Sequence, residues 1–401
     1  MERKQVLMVM PVMKGGGAER VAALLMNEFQ QNGFDVTFLL TSSGKEDVIR
    51  RDLNPEIDLV CLQEQLPDEG IIRKCAMKLM RLYSTVFSRM FEAFGKNVPS
   101  HFAYWSFVSQ YRKEIDGIRR LLEAKPDMTV ISFLQPSVPM VLLAAEGLPN
   151  RVIFSERGNP ERLMKHRYGR RFIEKYYKNV NAAVFQTEEA KSAYPACIAE
   201  KGVVIPNPIK SDLPEPCFGE RNHNITTFCR ISKEKNLPML LEAFRLLHDE
   251  YPEYVLRIIG DTLNEEGEKV RKELIDRIAE WHLEESVAWC PFSSTVHEEI
   301  LKDCMYVNSS DSEGMSNAML EAMAIGMPVV CTDCPIGGAR AIIRDGENGL
   351  LVPVGDPEAM YRAMKRIIED EDLARRLSGN AAELRKKLSL ESIAERWMEL
   401  L

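Results

Sequence analysis

Two carboxylates in the stretch "DSEGMSNAMLEAMAIGMPVV" (residues 311–330) stand where an acid needs a reason. Glu313 precedes a helix of Ala, Met, Leu and Ile, and Glu321 lies inside it. With the helix starting near Ser316, the residues three and four positions from Glu321 are Asn317, Ala318, Ala324 and Ile325, so no charged stripe carries the acid into water. Burying a carboxylate is costly unless hydrogen-bond donors meet it. The first turn of the helix offers unpaired backbone N–H groups and a partial positive charge, which suits phosphate. A ligand with both hydroxyls and phosphates would use both features. A partly exposed Glu at the end of a core helix, or one salt-bridged to a distant Lys or Arg, accounts for the same sequence equally well.

Three further stretches carry chemistry. "TTFCRISKEKNLPMLLEAF" sets Arg230 at the end of a strand and Lys235 five residues later, before a helix from about Leu237. Two cations there can neutralise a diphosphate, and the Arg fork adds paired donors; ordinary solvated loop charges are the competing reading. In "PVMKGGGAER" three glycines let the backbone turn sharply and approach a ligand, with Gly17 and Ala18 opening a helix. The pattern is neither GxGxxG nor GxxxxGK[ST], and a tight turn without a ligand explains it too. "VIFSERGNP" puts Glu156 at a strand end, where it can accept a proton, bind sugar hydroxyls, or pair with Arg157 or Arg162.

The elements that must position these residues alternate strand and helix, the pattern of parallel sheets covered on both faces. "VLMVM", "VTFLL", "DLVCL", "TVISF", "RVIFSE" and "AAVFQT" read as one series of strands, and "ITTFCR", "YVLRIIG", "SVAWCP", "MYVNSS", "MPVVCT" and "NGLLVP" as a second. The join falls in the Pro- and Asn-rich "VVIPNPIKSDLPEPCFGERNHN". The expected fold class is therefore α/β, with two doubly wound domains spanning 1–206 and 207–387 and a final helix, 388–401, packing back on the first; Ser389 and Ser392 suggest a capping box. Ligands of open α/β sheets bind beyond the carboxyl ends of the strands, so two facing units would hold one in the cleft between them.

Composition narrows the function classes. A chain of 401 residues accommodates two cores, and a net charge of −8 gives no basic field for nucleic acid. Nine cysteines, an odd number without framework spacing, fit a reducing cytosol; Cys331 and Cys334 form a lone CxxC after a strand and read as structural. The first apolar run is too short for a signal peptide core or a membrane span. Six histidines make no close pair, and "DED" at 370–372 fits a helix cap better than a metal-binding DxD, so the expected site is metal-free, with Arg and Lys neutralising charge. Residues 71–94 carry an apolar face and a basic one. That leaves a peripheral contact with an anionic membrane open, beside a core-packed helix as the commoner explanation. The aromatic "HFAYWSFVSQYRK" (101–113) points towards a greasy acceptor site.

Together "GGGAERV", "SERGNP", "FQTEEAK", "VIPNPI", "RISKEKNLPMLLEAF", "EGMSNAMLEAMAIGMPVV" and "DGENGLLVP" resemble the family 4 glycosyltransferases, retaining nucleotide-sugar-dependent enzymes of the GT-B fold. Only about residues 63–125 stay outside the resemblance. Glu313 and Glu321 match the family's E-x7-E motif. The resemblance implies that Glu313 faces the donor sugar's hydroxyls and Glu321 holds the nucleotide ribose. It implies also that the backbone of Gly314, Met315, Ser316 and Asn317 contacts phosphate and sugar. Arg230 and Lys235 match its diphosphate-binding pair, and Gly16 and Gly17 its glycine loop. Cys229 stands where many members have Gly, Ala341 where many have Glu, and Glu156 where many relatives use a His near a strand end.

The resemblance implies transfer of a hexose or N-acetylhexosamine from a nucleotide diphosphate sugar, a UDP-sugar by expectation, to a hydroxyl of a glycan or lipid-linked glycan in cell-envelope polysaccharide synthesis. The anomeric configuration would be kept. The first domain would bind the acceptor and the second the donor; Glu313, Arg230, Lys235 and Glu156 would carry catalysis without a metal or cofactor. The enzyme would work in the cytoplasm, with a peripheral place on the inner face of the membrane left open. A GT-B-like nucleotide-sugar epimerase and a catalytically silent nucleotide-sugar-binding subunit are the alternatives.

Overall fold

The structure is a computed structural model that describes residues 3–13, 15–42, 52–65, 100–160 and 175–401, with Leu79, Val86 and Ile173. The membrane-contact expectation for 71–94 falls, apart from Leu79 and Val86, outside the described residues. The chain divides into two compact units, Met1–Ile205 with Ala394–Leu401, and Pro206–Ile393.

Among the described residues the first unit has seven strands: β1 (Gln5–Met10), β2 (Asp35–Leu40), β3 (Asp58–Cys61), β4 (Thr129–Phe133), β5 (Val152–Ser155), β6 (Ala182–Phe185) and β7 (Gly202–Val204). They run parallel in the order β3-β2-β1-β4-β5-β6-β7. β1 shows why. From Val6 to Met10 every residue is buried, which requires cover on both faces and suits a parallel strand reached by crossover helices. The helix Gly17–Gln31 supplies part of that cover through Val21, Leu25, Met26 and Phe29. β7 is the element that sequence reading assigned to the linker; three residues beside Pro206 are too few to show a period.

The second unit has β8 (Asn224–Phe228), β9 (Val255–Ile259), β10 (Val287–Cys290), β11 (Met305–Asn308), β12 (Val329–Thr332) and β13 (Leu350–Val352) in the order β10-β9-β8-β11-β12-β13, all parallel. Its core joins Leu240, Phe244 and Leu247 of the helix Leu237–His248 to Leu256, Met305, Val307, Val330 and Leu350 of the strands. Both sheets follow the Rossmann order, in which the first strand lies beside the second and the fourth. The strand order reverses there, and the loops leaving the two strands diverge to opposite faces and open a crevice. The switch points fall between β1 and β4 and between β8 and β11.

The last helix, Leu390–Met398, passes from one unit into the other. Trp397 is fully buried 5.7 Å from the Phe133 ring, and Arg396 and Arg151 donate to the carbonyls of Val204 and Leu400. The Ser389 hydroxyl accepts from the Ser392 N–H, and Asp370 of "DED" caps the helix Glu371–Ala382 by accepting from Leu373 N–H. Among the described residues no helix is long and apolar enough to cross a membrane.

Candidate active site

The second unit's switch point is built from two loops sewn together. After β8 the chain passes Cys229 and Arg230, makes a short turn at Lys233–Lys235 and enters its helix at Asn236. Asn236 takes a left-handed conformation (φ 41°), a backbone that Asn tolerates, and its side chain accepts from Met239 N–H. After β11, Asn308 Oδ1 accepts from the N–H and hydroxyl of Ser310 and fixes the exit of the strand. Between the loops, Ser309 Oγ donates to the Lys235 carbonyl at 2.8 Å, Asp311 N–H to the Glu234 carbonyl at 2.8 Å, and Asn236 Nδ2 to Asp311 Oδ1 at 2.7 Å.

On that seam the Lys235 ammonium pairs with the Glu313 carboxylate, which also accepts from Ser310 Oγ at 3.1 Å. About a fifth of each side chain reaches solvent, 21% and 22%. Burial disfavours the Lys235 ammonium, but the Glu313 carboxylate outweighs it and holds its pKa above the ordinary value. Arg230 is exposed and, among the described residues, forms no hydrogen bond or ion pair.

A third loop, after β12, supports the second. Thr332 Oγ1 and Cys334 Sγ both donate to the Ser310 carbonyl, at 2.6 and 2.9 Å. The turn Ile336–Gly337 has positive φ at both residues, 77° and 69°. It brings Gly338 so close to Gly314 that a Cβ would overlap the Gly314 carbonyl. From the far side Asn207 Nδ2 donates to the Met315 carbonyl and to Asn317 Oδ1. Ser316 caps the helix Asn317–Ala324 by accepting from Met319 N–H at 3.3 Å. The loop from Ser309 to Ser316 is thus held from three sides, ending in a helix N-terminus.

Glu321 is buried in that helix, and its Oε2 lies 2.9 Å from Nε2 of His297, with 6% and 4% of the side chains exposed. The sequence allows an exposed Glu or a Lys or Arg partner beside the ligand role; the structure gives it a histidine among its partners. His297 comes from the β10–β11 connection, 24 residues earlier, in a segment without a motif. Its isolated position in "SSTVHEEI" offered no signal, since a lone His is usually unremarkable.

In the first unit Gly16 precedes the helix that Gly17 opens, and a Cβ on Gly16 would overlap the Glu19 carboxylate. Glu156 leaves β5 partly buried; its Oε1 accepts from the N–H groups of Arg157 and Gly158, and Oε2 accepts from the Tyr194 hydroxyl. Burial raises the Glu156 pKa, against the opposing effect of those bonds and of the Arg157 charge.

Lys235, Glu313, Gly314, Met315, Ser316 and Asn317 therefore gather on the second unit's switch point with Arg230 on the adjoining turn, and Glu321 lies one helical turn deeper; Gly16, Gly17 and Glu156 belong to the first unit. Cys229 is partly buried and burial raises its thiol pKa, while Ala341 is exposed on the third loop. Cys331 and Cys334 are buried and free. Among the described residues no cluster of three or more His, Cys, Asp or Glu side chains could hold a metal ion.

A pair of Rossmann-like α/β domains of parallel strands is the architecture of the GT-B fold. Residues 218–384, most of the second unit, match the family model of the glycosyl transferases group 1. The poly(glycerol-phosphate) alpha-glucosyltransferase of Bacillus subtilis is 28% identical over 244 residues, 60% of this chain and 35% of that one. The N-acetylgalactosamine-N,N'-diacetylbacillosaminyl-diphospho-undecaprenol 4-alpha-N-acetylgalactosaminyltransferase of Campylobacter jejuni is 34% identical over 158 residues, 40% of each chain. The chain spans between 35% and 49% of the length of the first such curated relatives. The fold is shared with Anabaena Alr3699/HepE in complex with UDP and glucose, at a TM-score of 0.75, 16% identity and 99% coverage of both chains. It is shared also with TarM, at 0.73, 13% identity and 100% and 99% coverage.

Proposed function

We propose that this chain is a retaining glycosyltransferase of the family 4 type. In this reading it moves a hexose or N-acetylhexosamine from a UDP-sugar to a hydroxyl of a glycan or lipid-linked glycan in cell-envelope polysaccharide synthesis, in the cytoplasm or on the inner face of its membrane. The observation that carries the reading is the Lys235–Glu313 pair on the seam of two switch-point loops, directly ahead of a helix N-terminus. Support comes from the group 1 match over that unit and from the relatives' names, which speak of sugar transfer to poly(glycerol phosphate) and to an undecaprenol-linked glycan.

Negative charge grows on the leaving diphosphate as the anomeric bond breaks. Cations and backbone N–H groups aimed at it therefore stabilise the transition state more than the ground state. Lys235, Arg230 and the turn Gly314–Asn317 take that part, joined by the glycine loop at Gly16 and Gly17, and charge neutralisation needs no metal. Glu313 meets sugar hydroxyls and Glu321 the ribose. Burial raises the proton affinity of Glu156, the direction required of a group that takes a proton from an acceptor hydroxyl.

The test incubates the chain with UDP-glucose and UDP-N-acetylglucosamine, with and without poly(glycerol phosphate) or lipid-linked glycan acceptors, and reads products by NMR. An α-linked product from the α-linked donor supports the reading. A β-linked product, or conversion of donor alone into an epimer, overturns it.

A further inference from the structure

We propose that His297 is a positioning residue of the nucleotide site, fixing the Glu321 carboxylate in the orientation that accepts ribose hydroxyls; the inference rests on the ribose role given to Glu321 above. The helix around Glu321 is mostly apolar, and a three-bond side chain has several rotamers open to it. His297 gives the carboxylate a partner from another element. His297 sits on the single turn Val296–Glu299 with Nε2 2.9 Å from Glu321 Oε2, and the positioning role has Nε2–H as the donor and the carboxylate as the acceptor.

The imidazole is itself held. The Phe228 ring meets it edge-on, with centroids 5.6 Å apart and planes at 84°, and Phe228 packs on Tyr306 at 5.0 Å. Phe228 is the last residue of β8, two positions before Arg230, and Tyr306 lies in β11. The row Tyr306, Phe228, His297, Glu321 thus ties the carboxylate to both strands that form the switch point. A buried His–Glu pair is no better for stability than a well-packed apolar pair. Its value here is geometric: one carboxylate oxygen is fixed and the group's plane with it.

The experiment uses His297→Gln, whose amide N–H reaches about where Nε2 sits, and His297→Asn, whose amide stops near Nδ1. Dissociation constants for UDP and 2′,3′-dideoxy-UDP are measured by calorimetry on the full chain, with a thermal melt of each variant. The wild type is expected to favour UDP by about ten- to a hundredfold, the range of hydrogen bonds to a charged group. His297→Gln keeps that ratio, and His297→Asn brings it towards one by weakening UDP alone. A ratio in His297→Asn equal to that of the wild type overturns the positioning role. A wild-type ratio near one overturns the ribose role of Glu321 instead, and the role of His297 with it. A loss of both ligands together in His297→Asn marks a merely structural histidine and also overturns the proposal.

Discussion

Lys235 and Glu313, 78 residues apart in sequence, form an ion pair across the switch point of the second unit. The pair works in both directions. Glu313 keeps Lys235 protonated despite burial, and Lys235 holds Glu313 on the seam where Ser310 also reaches it. A lone cation on a loop would swing with it, whereas this one is anchored by its own carbonyl, which accepts from Ser309. Preorganisation of this kind leaves little to rearrange when charge develops on a ligand.

Lys235→Ala is expected to lower turnover by roughly a hundredfold or more, the usual effect of losing one preorganised donor, with the fold retained. The pH dependence has a definite sign. The folded pKa of Lys235 lies above its ordinary 10.5, so the stability it lends is fully present below that value and is lost only as pH rises through the higher folded one. Initial rates between about pH 6 and about pH 9 should show no titration attributable to Lys235. An activity loss centred in that window and absent from Lys235→Ala would contradict the assignment.

Gly338→Ala should weaken both fold and donor binding, because the new Cβ meets the Gly314 carbonyl and one of two supported loops must retreat. Overpacking of this kind costs about 1–3 kcal/mol. Gly379 is the control: it is exposed in the helix Glu371–Ala382 with nothing within 4 Å of its Cβ position, so Gly379→Ala should stabilise by roughly 0.5–1 kcal/mol. Urea denaturation measures both, and calorimetry with UDP should separate them, with affinity falling only for Gly338→Ala.

The parts legible in the sequence were those encoded locally. Continuous apolar runs such as Val6–Met10 announce buried parallel strands, Ser316 and Asp370 announce helix starts, and Leu237 begins a helix where Asn236 caps it. What stayed hidden depends on where distant segments cross. His297 meets Glu321 only because the β10–β11 connection folds over the switch point, and no spacing rule links those positions. The support of the Gly314 loop by Gly338 is equally invisible: "GG" reads as a turn, and the sequence does not say that a neighbouring carbonyl fills the space a side chain would need. β7 was missed for a third reason, since an edge strand of three residues takes its identity from its partner.

Asp303 should prove the costliest polar residue to remove from the second unit. It is fully buried and accepts from Arg257 at 2.7 Å, Asn222 at 3.0 Å, Asn224 at 3.1 Å and Thr226, which ties the start of β8 to β9 and to the approach to β11. Asp303→Ala removes the carboxylate that pairs with Arg257 and accepts from Asn222, Asn224 and Thr226, and breaking a buried pair from one side typically costs about 3–5 kcal/mol. The expected result is an unfolding free energy lowered by that amount, read as a lower urea midpoint at an unchanged slope, with Asp303→Asn intermediate. A loss below about 1 kcal/mol, the level of a surface pair, would show that the cluster is not a support.

Tyr194→Phe tests the Glu156 cluster through pH. Burial raises the Glu156 pKa above its ordinary 4.5, so the folded chain holds this proton more tightly than the unfolded one. The resulting stability is fully present below 4.5 and is lost as pH rises through the folded value. In its ionised form the carboxylate depends on its donors, and the Tyr194 hydroxyl is the first among them. Removing that hydroxyl takes away a bond that favours the charged form, which moves the Glu156 pKa further up. Tyr194→Phe should therefore destabilise more above the folded pKa than at about pH 4, by up to roughly the 1.5–3 kcal/mol of a hydrogen bond to a charged group. Urea titrations at a series of pH values upward from about pH 4 measure the difference. Equal losses throughout would mean that Glu156 keeps one protonation state across the range and would overturn the prediction.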